Sequence, residues 1–218
     1  MMTPYEAITS DPPNVWLTSF YGFSPARWGY LGFTTKGQRD HFIKSTQPGA
    51  LVVIYGHKSK APEEQRGQVI GIQQMSRRVN TARNFMDPAV WAAKEADTET
   101  KGKWEWGIKA ARAWKVAPES YQWIDDFADE SYTIGRAQLI GSQGVRLTSS
   151  EARKIFDLVL VETSVFGERS VNDAVPAKGD VLLRPSKPGP VSQNSYMVQE
   201  AEGPKENYIL QLCGDTNA

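Results

Sequence analysis

Residues 100–118, TKGKWEWGIKAARAWKVAP, carry three of the chain's seven tryptophans, and set five cations against the single acid Glu105. An indole stacks on any nucleobase, worth about 1–3 kcal/mol per base, and a nearby lysine or arginine can contact a phosphate. Facing aromatics enclose an extruded or methylated base, while hydroxyls read its edge. One methyl group in such a pocket discriminates by roughly 1–3 kcal/mol. The competing use of the same side chains is core packing. Strand alternation turns some of Trp16, Trp106, Trp114 and Trp123 inward, and Trp104 and Trp106 share one face if their segment is extended.

Catalytic chemistry has less support. His41 and His57 have no partner at metal-ligand spacing and read as structural or exposed. The chain contains no G-x-S-x-G, no phosphate-binding loop and no G-x-G-x-x-G. Asp125, Asp126, Asp129 and Glu130 read as a solvated acidic helix face rather than a Mg²⁺ site. Cys213, the only cysteine, excludes an internal disulfide framework and suits a reducing cytoplasm. No cofactor is expected, and the expectation is a non-catalytic protein.

Formal net charge is zero, so no bulk field draws the molecule to a polyanion, yet a basic stretch (101–118) precedes an acidic one. No signal peptide is visible, and no apolar run approaches the roughly 20 residues that span a bilayer. A soluble cytoplasmic protein without a membrane partner is expected.

The elements that must position these residues are mostly short strands. Residues 1–13 read as a polar lead-in, NVWLTSFYGF as a strand, and SPARWGYLGFTTKG as a structured loop broken by glycines. GQRDHFIKSTQPG holds a short helical turn; ALVVIYG and QRGQVIGIQQM are strands, the first of them buried. Helical spacing surrounds Trp91, and WEWGIKAARAWKV is a strand or two, bent at Gly107. ESYQWIDDFADESY is helix-compatible. TSSEARKIFDLVLVE opens with a capping box, Thr148 and Glu151, ahead of Ile155, Phe156, Leu158 and Val159. GDVLLRP, SYMVQEA and NYILQLC are strand candidates. The pattern predicts an α+β domain over 14–165, built on a curved β-sheet or small barrel flanked by helices, with a β-rich C-terminal appendage over 166–218.

The order of these segments resembles the YTH/EVE branch of the PUA-like superfamily, whose members read modified bases in nucleic acid. WLTSFYGF looks like the family's early strand, with Ser19 at its serine position, and LGFTTKGQRDHF like the loop bearing the first cage aromatic and a hydroxyl, here Phe33 and Thr34. DPAVWAAKEADTETKGKW matches the variable connection that supplies further aromatics, Trp91 and Trp104. WGIKAARAWKVAP and RAQLIGSQGVRLTSSEARKIFDL complete a likeness over residues 14–162. Thr18 departs from the family's usual lysine, Phe33 from its usual tryptophan, and Ser142 from a common arginine, for which Arg136 or Arg146 would substitute.

The resemblance implies a base-binding cage of Phe33, Trp91, Trp104, Ser19 and Thr34, with Lys36, Arg39, Arg77, Arg78 and Arg112 on phosphates. Its implied partner is DNA or RNA with a modified base, DNA in modification-dependent restriction first, alongside a nuclease domain or subunit. Two alternatives stay open: a PUA-like ASCH-type ribonuclease or RNA-processing protein, and a domain whose aromatic groove binds a peptide.

Overall fold

A computed structural model describes residues 1–132, 144–168, 198–199 and 209–211 of the chain. Its strands are β1 (Val15–Phe20), β2 (Tyr30–Phe33), β3 (Leu51–Gly56), β4 (Val69–Thr81), β5 (Trp106–Val116), β6 (Val145–Arg146), β7 (Val159–Thr163), β8 (Val198–Gln199) and β9 (Ile209–Gln211). Its α-helices among the described residues are α1 (Pro4–Thr9), α2 (Lys36–Ser45), α3 (Pro88–Ala96), α4 (Ile124–Phe127) and α5 (Ser149–Arg153). The α+β class and the curved sheet flanked by helices hold: one mixed sheet curls into a half-barrel, in the order β6-β1-β3-β4-β5-β7-β9-β8.

Only the β1–β3 pair is parallel among the described strands, running from Val15 beside Leu51 to Phe20 beside Gly56. β5 is the spine. One edge pairs with β4; the other pairs with β2 over Trp106–Lys109 and with β7 over Ala113–Val116. Every residue of β3 is buried because both sheet faces are covered. Leu51, Val53 and Tyr55 join one core with Leu17, Ile72 and Trp114, while Val52 and Ile54 join another with Trp16, Phe33 and Phe42.

Local sequence explains the helix starts. Thr3 with Glu6, Thr35 with Gln38, and Thr148 with Glu151 each make a reciprocal capping box, the last as the sequence predicts. Three expectations are corrected. The polar lead-in contains α1, whose Ala7 and Ile8 are buried in the core. SPARWGYLGFTTKG contains a strand, β2, paired with β5. The capped helix does not run on through Val159: it ends at Arg153, tightens into a 3₁₀ turn (Lys154–Asp157), and gives way to β7. There β-branched Val159 and Val161 favour a strand, and pairing of Val161 with Lys115 overrides the helical pattern.

Glu151 does more than cap. It is fully buried and accepts hydrogen bonds from the backbone amides of Glu130 (2.9 Å), Ser131 (2.7 Å) and Thr148 (2.8 Å), and from the Ser131 hydroxyl. Burial alone would push its carboxyl up, but these donors, Ser131 foremost, outweigh it and hold the group below the ordinary carboxylate range. Within ESYQWIDDFADESY, Glu119 and Ser120 belong to a 3₁₀ turn, α4 is the one α-helical piece, and the turn that follows it is tied to α5 through Glu130 and Ser131.

The C-terminal strands β9 and β8 add to the sheet beside β7, with Leu210 against Leu160. They fall within NYILQLC and SYMVQEA, whereas GDVLLRP, Arg136, Ser142 and Cys213 lie outside the described residues. No helix among the described residues is long and apolar enough to cross a membrane.

Candidate functional site

A cavity of about 330 Å³ opens at the C-terminal end of β1. Thr18, Ser19 and Phe20 supply one wall and Tyr21 and Gly22 continue it; Trp28, with Tyr30 and Gly32 of β2, forms a second. The third wall is α3. Val90, Ala93, Lys94 and Asp97 recur at helical spacing, so one helix face fronts the cavity, and Thr100 and Trp104 extend that wall toward β5.

Trp104 sits there because its backbone is unusual. Its φ is +52°, the left-handed region that bulky residues rarely enter, at the end of a turn through Gly102 at φ +69°. Such a conformation persists only where the surroundings enforce it. Two contacts do so. The Tyr21 ring meets the Trp104 ring edge-on, with centroids 5.1 Å apart at 90°. Gly32 lies under it, so close that a Cβ there would stand 2.7 Å from the Trp104 Cβ and 2.9 Å from the Tyr30 ring. The turn at Trp104 also keeps it off the β5 face. Trp106 opens that strand and packs on the second core, with the Arg39 guanidinium 5.4 Å from its ring.

The expected cage residues divide. Ser19 and Trp104 line the cavity. Phe33 does not: alternation along β2 sends Tyr30 and Gly32 to the cavity and Leu31 and Phe33 to the core, where Phe33 is 3% exposed and 5.6 Å from Phe42. Trp91 is off the lining face of α3 and packs against Tyr30, Phe85 and Met86. Thr34 is exposed beyond the end of β2 and outside the lining. Tyr21, Trp28 and Tyr30 supply the aromatic walls instead. For Trp28 and Tyr30 the sequence signal was glycine beside aromatic residues in WGYLG, where a missing Cβ permits close approach.

The expected phosphate cations are mostly engaged within the protein. Arg39 is 6% exposed and paired with Asp40 at 2.7 Å. Arg77 donates to the carbonyls of Ile43 and Thr46, and Arg146 to that of Ser45 (2.9 Å), so two strands cap the C-terminus of α2. Arg78 pairs with Glu168, and Arg112 makes a two-pronged pair with Glu162 at 2.7 and 2.9 Å. Lys36 is exposed, with neither ion pair nor hydrogen bond among the described residues.

Other cations of the opening stretch behave differently from one another. Lys109 is 3% exposed, and burial, reinforced by the Arg78 charge, draws its pKa down to about 8. Lys101 and Lys103 stand exposed on the turn between Thr100 and Trp104, beside the cavity. Within the lining, Lys94 is buried but already neutralised by Glu95 at 2.7 Å, and lies 4.6 Å from the Trp91 ring. His57 packs edge-on against Tyr21 at 5.4 Å; burial first, then the Lys60 charge, holds it below its ordinary range. Of the acidic stretch, Asp125 pairs with Lys58 and Asp129 with Lys154, each at 2.9 Å.

Comparison of the chain with protein-family models, with curated proteins and with solved structures finds no match in any of the three. The cavity combines aromatic walls on several sides, hydroxyls at one end, and a buried cation whose charge is already balanced. Such a lining suits a flat ring with a polar edge better than it suits proton transfer.

Proposed function

We propose that the chain is a PUA-like, EVE/YTH-type reader that accepts a modified nucleobase into this cavity without acting on it chemically. The observation that carries the reading is Trp104, held in a costly backbone conformation at the mouth of a cavity walled by Tyr21, Trp28 and Tyr30. The order of segments and the curled sheet support the family, and Ser19 supports the edge-reading role. Exposed Lys101 and Lys103 replace the internally paired arginines as phosphate contacts. The proposed target is DNA with a modified cytosine or adenine, in cytoplasmic modification-dependent restriction with a nuclease partner.

Binding of short single-stranded and duplex oligonucleotides, plain or bearing 5-methylcytosine or N6-methyladenine, tests this. Wild type is expected to favour one modified strand by roughly 5- to 100-fold, the range that one well-packed methyl group allows. Trp104→Ala removes that preference while lowering plain-strand affinity less; Trp91→Ala, off the lining, leaves it standing. Equal losses on modified and plain strands in Trp104→Ala overturn the reading. So does cleavage of labelled RNA by the pure protein, which would favour the ribonuclease alternative.

A further inference from the structure

We infer that Arg78 and Lys109 form a latent site for a phosphate group, filled by the Glu168 carboxylate until a ligand phosphate displaces it. The anion chemistry stands by itself; the source of the phosphate, a strand whose base enters the cavity, rests on the base-reading proposal.

Three segments build the site. The β4–β5 ladder breaks between Met75 and Val79, so Ser76, Arg77 and Arg78 stand out of register opposite Lys109. The Ser76 hydroxyl donates to the Lys109 carbonyl at 2.7 Å and accepts from the Arg78 amide at 3.1 Å, which pins that bulge to β5. Lys109 shares a sheet face with Tyr30, its register partner on β2 and a wall of the cavity. Its ammonium reaches between Phe85 and Phe166, 5.6 and 5.8 Å from their ring centres. A turn through Gly167, at φ +72°, brings Glu168 to it, and a Cβ on that glycine would stand 3.3 Å from the ammonium.

Positive charge is in excess there. Arg78 and Lys109 both pair with one oxygen of Glu168, Oε1, which lies 3.9 Å from the Lys109 ammonium. That separation is too long for a hydrogen bond, and the buried ammonium makes none among the described residues. Leaving its donors unmet in a site that excludes water is costly. A phosphate supplies what one carboxylate does not: enough oxygens for the guanidinium fork and the ammonium to bond separately. Burial first, then the Arg78 charge, draws Lys109 down to about 8, so it is still mostly charged at neutral pH. Besides Arg78 and Glu168, the titratable group facing it is Tyr30, whose hydroxyl burial pushes well up. The Glu168 segment also packs on the loop that carries Trp28: the Phe166 amide donates to the Pro25 carbonyl at 2.8 Å, and Val165 lies against Gly29. Site and cavity thus flank residues 25–30, which makes a phosphate near the seated base the matching source. Seating holds that phosphate at an effective concentration on the order of millimolar, enough to compete with Glu168.

Removing the internal competitor tests this. Calorimetric titration with sodium sulfate, and binding of short plain and modified single strands over a range of salt, are compared in wild type, Glu168→Gln, Glu168→Gln with Lys109→Met, and Arg78→Gln. Urea midpoints confirm that each folds; Arg78→Gln changes a side chain that is 61% exposed and tests the site even where Glu168→Gln does not fold. Glu168→Gln is expected to bind sulfate about tenfold more tightly than wild type and plain strands about three- to tenfold more tightly, because the competent site is no longer filled. Adding Lys109→Met cancels both gains. Sulfate keeps its charge through this range, so its affinity for Glu168→Gln falls as pH rises past about 8, where Lys109 loses its proton. Arg78→Gln weakens plain and modified strands alike by a few-fold and lowers the slope of log affinity against log salt by about 0.7, the share of one phosphate on a single strand. Unchanged sulfate affinity in Glu168→Gln, or an unchanged salt slope in Arg78→Gln, overturns the site and leaves Glu168 a structural tie. A gain for sulfate with none for strands overturns the strand as the source. If the gains appear but no strand is preferred over its plain counterpart, the base reading falls and the phosphate site stands.

Discussion

Two tryptophans of one short stretch, Trp104 and Trp114, lie at opposite extremes of packing. Trp114 is 1% exposed in the core between β4 and β7, its partners regular in register on both edges. Trp104 lies outside the strand, on a left-handed backbone over a glycine, with open space on one side. The side chain is the same; the difference is what the backbone enforces. Where pairing is regular an indole becomes core, and where a turn and a missing Cβ hold it off the sheet it becomes a wall.

The contrast can be broken most severely at the core end. Trp114→Ala is expected to cost about 3–5 kcal/mol in urea unfolding, because it empties a site that cannot collapse. Glu151→Gln comes next. Replacing a buried carboxylate that accepts four bonds with an amide misplaces a donor among donors, at an expected cost of about 2–3 kcal/mol. Its pH dependence has a defined sign. Glu151 binds its proton less readily folded than unfolded, so its contribution is fully present above the unfolded pKa of about 4.3 and fades as pH falls through the lower folded value. Urea midpoints between pH 6 and 3 should fall more steeply in wild type than in Glu151→Gln.

Gly32→Ala sharpens the comparison from the other side. The added methyl collides with Trp104 and Tyr30, for an expected loss of about 1–3 kcal/mol, and a shift in tryptophan emission should report the displaced ring. Trp104→Gly should do the reverse. It relieves the positive φ and is expected to leave stability unchanged or raise it by about 1 kcal/mol, while abolishing discrimination between modified and plain strands. The smallest effect belongs to Lys101→Gln and Lys103→Gln. Each should weaken binding a few-fold on every sequence alike and lower the slope of log affinity against log salt by about 1.

Much of the scaffold was legible, because local chemistry and global fold agree there. The Thr148–Glu151 box announces its helix, and the continuous apolar run of ALVVIYG announces a doubly covered strand. The site was legible only in part, for reasons that are not local. Alternation places Phe33 and Gly32 on opposite faces but does not say which face is sealed by α2 and which is left open. Helical spacing was visible around Trp91, yet which face of α3 meets β1 is decided by the fold, and one residue's offset exchanges Trp91 for Val90. The resemblance put Arg39, Arg77, Arg78 and Arg112 on phosphates, yet Arg39 pairs with its neighbour Asp40 and the other three find acceptors on distant segments. Nor does any sequence rule mark Trp104 for a conformation usually left to glycine.

The parallel pairing of β1 with β3 has a kinetic corollary. Antiparallel neighbours such as β3 and β4 can zip from the loop that joins them, whereas pairing β1 with β3 closes a longer loop that runs through β2 and α2. Ser19 and Tyr55 meet at the far end of that late-closing pair. Recovery of binding should therefore lag recovery of secondary structure when the denatured chain is returned to native conditions.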